Sequence, residues 1–202
     1  MKLHWNPASP FARKCLVAAK ELGLADQLEI IPRAGSPVAI DNMPVAQNPL
    51  GKLPALERSN GPALYDSRVI TRYLDNVAGG TLYPDARLWE VLTLEATADG
   101  IMDAAVLMVY ETRCRPEQAR SDDWVEAQWQ KVSRALEAIE RSWMSHLNGP
   151  FDASHIAVAC AVGYLDFRHA DRGWRQYCPT LAAWEAEIQK RPSLDETSPK
   201  DL

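Results

Sequence analysis

Nowhere in its 202 residues does the sequence hold an apolar run near the roughly 20 that a membrane-spanning helix needs. Its first residues, Met-Lys-Leu-His-Trp, do not read as a leader, because His4 and Asn6 interrupt any apolar stretch. Cysteine is scarce: Cys15, Cys114, Cys160 and Cys178 lie far apart and form no C-x-x-C. That excludes a disulfide frame and a cysteine zinc site, and it reads as the reduced thiols of a cytoplasmic protein. The four histidines lack metal-ligand spacing, so no metal is expected. A basic stripe is missing too. With 22 Lys and Arg against 27 Asp and Glu the net charge is −5, which argues against a nucleic-acid partner. No block of like charge reads as an interaction tail, and no internal repeat appears.

What is present is a chain of two textures, 47% hydrophobic overall. Residues 1–80 carry nine Lys and Arg and seven Asp and Glu, a balance of +2, and hold most of the Gly and Pro punctuation. Residues 81–202 carry 13 and 20, a balance of −7, and six of the seven tryptophans, in long Ala-rich helical patterns. In the first part, short strands are predicted at 2–5 (KLHW), 28–32 (LEIIP), 54–57 (PALE) and 63–65 (ALY), the last two joined across Asn60-Gly61. Ser9 as N-cap and Pro10 at the first helical position start a helix that Gly23 stops. Asp66-Ser67 caps another, with Val69, Ile70, Tyr73, Leu74 and Val77 assigned to its buried face. The order β-α-β-β-β-α makes residues 1–78 a small α/β domain. Residues 84–192 show no strand pattern and read as an all-α domain, with helices over 85–113, 122–146, from Asp152 and over 179–190. The helix after Asp152 is almost wholly apolar and is expected at the centre. The polar segment 193–202 is expected to be a loose tail.

One stretch asks for more than local rules supply. In Pro49-Leu-Gly-Lys-Leu-Pro-Ala-Leu-Glu57 a proline stands directly before a strand, where it removes a backbone donor. The motifs SPFARK, NPLGKLPALE, LYDSRVITRYL and ADGIMDA, followed by the helix IAVACAVGYLDFR, occur here in one order and spacing that resembles the glutathione transferase superfamily, most of all its small bacterial cytosolic members. The resemblance covers nearly the whole chain. It implies a thioredoxin-like N-terminal domain followed by an all-α C-terminal domain. It also implies that Pro54 is cis, so that Leu53 offers its backbone N–H and C=O to glutathione as an added strand. On the same footing Ser9 at the first helix start is the catalytic residue that stabilises the glutathione thiolate, helped by the helix N-terminus. Ser67 and its N–H would hold the γ-glutamyl carboxylate, Asp66 would face the ammonium, and Lys52 would pair with the glycine carboxylate. The residues alone also allow plain N-caps at Ser9 and Asp66, a buried structural role for Cys15 and a solvated Arg13.

A second substrate would sit between the domains, against the loop from Trp5 to Ala8 and the helix that carries Met102, Asp103, Val106, Tyr110 and Arg113, where Trp5, Met102 and Tyr110 favour an apolar or aromatic electrophile. The resemblance implies a homodimeric, cytoplasmic enzyme that uses glutathione as co-substrate with no cofactor or metal, and partners limited to glutathione and a small electrophile, with no nucleic acid and no membrane. Two rivals use the same fold: a non-catalytic interaction or adaptor protein, and a glutathione-dependent peroxidase, isomerase or dehalogenase. One departure is visible. His155 stands three residues after the N-cap Asp152, where the family has an acid, so the reciprocal half of the capping box is expected to be lost.

Overall fold

The computed structural model describes all 202 residues. Four short strands form one sheet: β1 (Lys2–Trp5), β2 (Glu29–Pro32), β3 (Ala55–Arg58) and β4 (Gly61–Leu64), in the order β2-β1-β3-β4. The helix α1 (Pro10–Glu21) crosses between β1 and β2, which therefore run parallel. β3 is antiparallel to β1, with His4 opposite Ala55, and β3 and β4 make a tight hairpin. α2 (Ser67–Ala78) follows β4 and ends at Gly79, whose φ of 60° is left-handed and open to glycine without strain. α1 and α2 cover one face of the sheet and enclose Leu3, Cys15, Ala19, Leu56, Ile70 and Leu74.

The rest is helical: α3 (Leu88–Arg113), α4 (Asp122–Ser142), α5 (Met144–Leu147), α6 (Ala153–Arg168), α7 (Pro179–Ile188) and α8 (Pro192–Asp195). As its composition predicts, α6 is central: every residue from Ala153 to Leu165 is buried. Each of Ile156, Val158, Val162 and Leu165, fully withdrawn from water, contributes about 1.5–3 kcal/mol of transfer free energy. α6 packs on α3 and, across to the sheet domain, on α1.

Several expectations are corrected here. The helix predicted over 122–146 is broken at Trp143, which closes α4 before the single turn of α5. Val69 and Val77 face outward, 46% and 45% exposed, because only one stripe of α2 can meet the sheet and Ile70, Thr71 and Leu74 occupy it. The segment after Ser193 is not loose along its first part. Ser193, Leu194 and Thr197 are buried, and α8 packs on α1. The agent is Arg13, which is buried, not solvated. Its guanidinium donates to Gln189 Oε1 (3.1 Å), to the Leu194 carbonyl (3.0 Å) and to Thr197 Oγ1 (3.4 Å). Gly163 of α6 leaves room for it, since a Cβ there would meet Arg13 Nη1 at 2.6 Å.

The start of α6 departs from expectation as well. Asp152 Oδ1 accepts from the Ser154 N–H (3.0 Å), and His155 Nδ1 lies 3.2 Å from the Asp152 N–H, so an imidazole closes the capping box in place of a carboxylate. His146 Nε2 lies 3.0 Å from Asp152 Oδ2. Spacing along the sequence did not foresee a grouping of metal-ligand type, yet His146, Asp152 and His155 bring ligand atoms within 4.8 Å of one another. Here they bond to each other and to the first turn of α6.

Candidate functional site

Three chain ends meet at one edge of the sheet. β1 leaves it toward Ser9. β3 enters it from Leu53-Pro54, which the register of His4 opposite Ala55 sets beside Trp5 and Asn6. β4 leaves it toward Asp66, since Leu64 pairs with Leu56. The topology thus gathers segments 5–10, 52–54 and 65–68, far apart in sequence.

Each segment presents unused polar groups. The loop before α1 is shaped by Asn6, whose Oδ1 accepts from Ala8 N–H (2.8 Å) and whose Nδ2 donates to the Arg33 carbonyl (2.6 Å). Ser9 is the N-cap of α1: its Oγ accepts from Ala12 N–H at 3.2 Å, which leaves the hydroxyl proton free to donate elsewhere. Pro10 has no N–H, and the Arg13 N–H is taken by the Ser9 carbonyl (2.9 Å). The Phe11 N–H is therefore the first-turn amide without a partner in the chain.

The Leu53–Pro54 bond is cis, and neither the N–H nor the C=O of Leu53 has a partner in the protein. Asn48 stiffens the approach, its Nδ2 donating to the Lys52 carbonyl at 2.9 Å and its Oδ1 accepting from Leu50 N–H at 3.1 Å. Lys52 itself is exposed.

At α2, Asp66 caps the helix by accepting from Arg68 N–H (3.0 Å) and from Arg68 Nη2 (3.2 Å). Against the opposing cost of its burial, the Arg68 guanidinium holds the Asp66 carboxyl below the usual range. Ser67 is buried, yet its N–H has no partner in the chain, while its carbonyl accepts from Thr71 Oγ1 (3.0 Å) and the Cys15 thiol (3.7 Å). Burial pushes that thiol well above its ordinary value, so Cys15 is a core residue and not a nucleophile.

Behind these segments lies a charged layer that sequence reasoning missed. Lys14, fully buried on α1, donates to Glu95 Oε1 (3.1 Å) and Asp99 Oδ1 (2.7 Å) of α3. The second oxygen of Asp99 lies 3.4 Å from Arg68 Nε. Burial raises Asp99 to about 6 even though Lys14 opposes it. Glu95 also accepts from the Tyr83 hydroxyl (3.0 Å). Burial raises the Asp103 carboxyl too, while the charges of Lys52 and Arg68 draw it down. The chain offered one signal of this layer: charged residues on the inward stripe of α1 next to Cys15.

The expected second-substrate wall is partly removed. Met102 is fully buried in the core of the helical domain. Trp5, Val106 and Tyr110 are half-buried, and the Trp5 indole Nε1 has no partner although it is out of solvent.

Residues 8–77 match the glutathione S-transferase N-terminal domain family, and residues 122–187 match the glutathione S-transferase C-terminal domain family. Among curated proteins, an uncharacterized GST-like protein of Escherichia coli (strain K12), YibF, is 35% identical over 204 residues, spanning 98% of each chain. Among solved structures, a glutathione transferase family member from Pseudomonas fluorescens Pf-5 with bound glutathione is 46% identical, covers 98% of both chains and superposes with a TM-score of 0.95. A glutathione S-transferase from Methylobacillus flagellatus KT with glutathione bound is 36% identical over 98% of this chain and 99% of that one, with a TM-score of 0.87.

Proposed function

This chain belongs to the glutathione S-transferase superfamily, and on that premise we propose that it binds glutathione, ionises its thiol and directs the thiolate to an electrophilic small molecule. The observation that carries the reading is the set of unengaged backbone and side-chain groups at one sheet edge: the Leu53 N–H and C=O, the Ser67 N–H, the Phe11 N–H and the Ser9 hydroxyl. Glutathione is a short extended peptide with a carboxylate at each end and a thiol between. Leu53 pairs with its cysteinyl backbone as an added strand. Ser67, at the positive end of α2, receives the γ-glutamyl carboxylate, and Asp66 faces its ammonium. Lys52 takes the glycine carboxylate. This leaves the sulfur beside Ser9 and the first turn of α1.

There the Ser9 hydroxyl and the Phe11 N–H donate to the thiolate, and the proton leaves to solvent. Helix N-termini of this kind lower a thiol pKa from about 8.5 into the range of about 3.5–7.5. The thiolate then attacks an electrophilic carbon, a carbon–sulfur bond forms, and a leaving group departs or an adjacent double bond takes the electron pair. Glutathione is a co-substrate, and no resident cofactor enters the scheme. The exposed Val69, Val77 and Trp89 offer apolar surface that a second copy of the chain would cover, in keeping with a homodimer.

Two measurements test the reading together: calorimetric titration with glutathione, and a product screen of glutathione with aryl halides, activated alkenes and peroxides. Binding with S-conjugate formation is expected. Glutathione binding without any product would favour an adaptor; oxidised glutathione from peroxides would make the protein a peroxidase; absence of binding would overturn the reading.

A further inference from the structure

Close to its end the sequence is fastened by one carboxylate. Beyond Thr197 the chain donates a single backbone hydrogen bond, from Ser198 N–H to the Asp195 carbonyl (3.2 Å). After that only Asp201 holds it. Its carboxylate takes two bonds from the Arg168 guanidinium, Nη1 at 3.2 Å and Nη2, and lies 3.8 Å from Arg113 Nη2. Neither arginine has another acid within ion-pairing distance.

The two sides of this contact are unequal. The Arg168 side chain is only 12% exposed, whereas that of Asp201 is 66% exposed. The Arg168 guanidinium carbon lies 3.8 Å from the centroid of the Phe167 ring, and its Nε is buried with no acceptor. Stacking on Phe167 helps to hold the guanidinium fork independently of Asp201, and such a fork matches a carboxylate bidentately. Asp201 comes from an exposed segment and pairs with no group other than these two arginines. Arg168 closes α6 one turn beyond Tyr164, which meets Phe167 edge-on at 6.4 Å between centroids. Arg113 closes α3 one turn beyond Tyr110. Two positive charges thus stand at the C-terminal ends of α3 and α6, that of Arg168 over the Phe167 ring.

We propose that Arg113 and Arg168 form the acid-recognising end of the second-substrate cleft, that the electrophile is an aromatic or apolar molecule bearing a carboxylate, and that Asp201 fills this place until such a carboxylate displaces it. The word substrate rests on the glutathione-dependent reading; the anion site does not. A tethered carboxylate competes at an effective concentration on the order of millimolar. A small free acid therefore displaces it poorly, while an aryl acid adds contact with the half-buried Phe167 and Tyr110.

Calorimetry with 4-nitrobenzoate and with its neutral counterpart 4-nitrobenzamide tests this on the whole chain. The parent should bind the acid more tightly than the amide. Asp201→Asn should tighten the acid by about five-fold or more, as removal of a tethered competitor requires, and leave the amide unchanged. Arg113→Gln and Arg168→Gln should each abolish the preference for the acid. Arg113 is exposed, so its variant carries the test if a thermal melt shows that the Arg168 variant does not fold. Equal affinity for acid and amide in Asp201→Asn, or an acid affinity that this change does not move, overturns the site. Glutathione titrated into the same samples separates the two readings: a retained acid preference without glutathione binding overturns the catalytic reading alone, and the converse overturns the anion site alone.

Discussion

Lys14 Nζ lies 2.7 Å from Asp99 Oδ1, with both side chains withdrawn from water, and this contact joins the helix that begins at Ser9 to the longest helix of the other domain. Asp99 in turn reaches Arg68, which holds Asp66. A buried ion pair contributes little net stability over an apolar substitute, but removing one partner strands the other.

Asp99→Ala should therefore lower unfolding free energy by about 3–5 kcal/mol in urea melts, because Lys14 keeps its charge with only Glu95 to answer it. Glutathione affinity should fall as well, since Arg68 loses the partner that orients it toward Asp66. Asp99→Asn, which keeps shape and an acceptor, should lose less of both. An asparagine variant indistinguishable from the parent in stability and affinity would mean that Glu95 alone neutralises Lys14.

Ser9→Ala removes two things at once. The cap on α1 is lost, at a cost of about 0.5–2 kcal/mol in a urea melt. The donor to the thiolate is lost too, so turnover should drop more than glutathione affinity does. Ultraviolet absorbance of the bound thiolate against pH should show an upward shift of the thiol titration. An unmoved titration would assign thiol activation to the Phe11 N–H and the helix end.

His155→Asp would be a repair if the capping box were broken, but the structure shows the box closed by the imidazole. His155 Nδ1 is 2.9 Å from Asp152 Oδ1, and both residues are buried. A second carboxylate there meets the first, and two carboxylates sharing a buried site disfavour joint ionisation. The aspartate variant should be less stable than the parent near neutral pH, by about 1–3 kcal/mol, the order of a buried polar group losing its partner. The deficit should shrink in acid, as one carboxyl takes up a proton. A variant more stable than the parent would overturn this account of the cap.

Burial lowers the pKa of both His146 and His169, the latter donating from Nε2 to the Ala105 carbonyl at 3.0 Å. Between their folded values and about 6.5 the unfolded chain binds more protons, so these sites stabilise the fold above that value and lose their contribution as pH falls through the folded values. Asp99, raised to about 6, acts in the same window with the opposite sign. The effect must therefore be read by difference. Between about pH 7.5 and about pH 5.5 the parent should lose more stability than His169→Gln, whose amide can still donate to Ala105. Equal losses in urea melts of the two proteins would mean that His169 does not titrate in this range.

Local chemistry was enough for much of this molecule. Ser9 before Pro10, Asp66 before Ser67 and Gly79 after Ala78 act within one helical turn, so α1 begins, and α2 begins and ends, where those residues dictate. The all-apolar run after Asp152 could only be a central helix, and it is. With the family resemblance added, the segments carrying Ser9, Leu53-Pro54 and Asp66-Ser67 were named before their geometry was known. What only the tertiary structure decided are the fates of residues whose partners are distant. Arg13 read locally as a solvated charge, but it and Lys14 find acceptors 81 to 184 residues away, on α3 and around α8. Met102 and Tyr110 share a helix and differ in burial because α6, α4 and α1 pack on some of its faces and not on others. His155 closes its cap because the fold brings its Nδ1 within 3.2 Å of the Asp152 N–H. Helical periodicity and capping are settled within about four residues of chain, whereas a buried charge is settled by whichever opposite charge the fold carries to it.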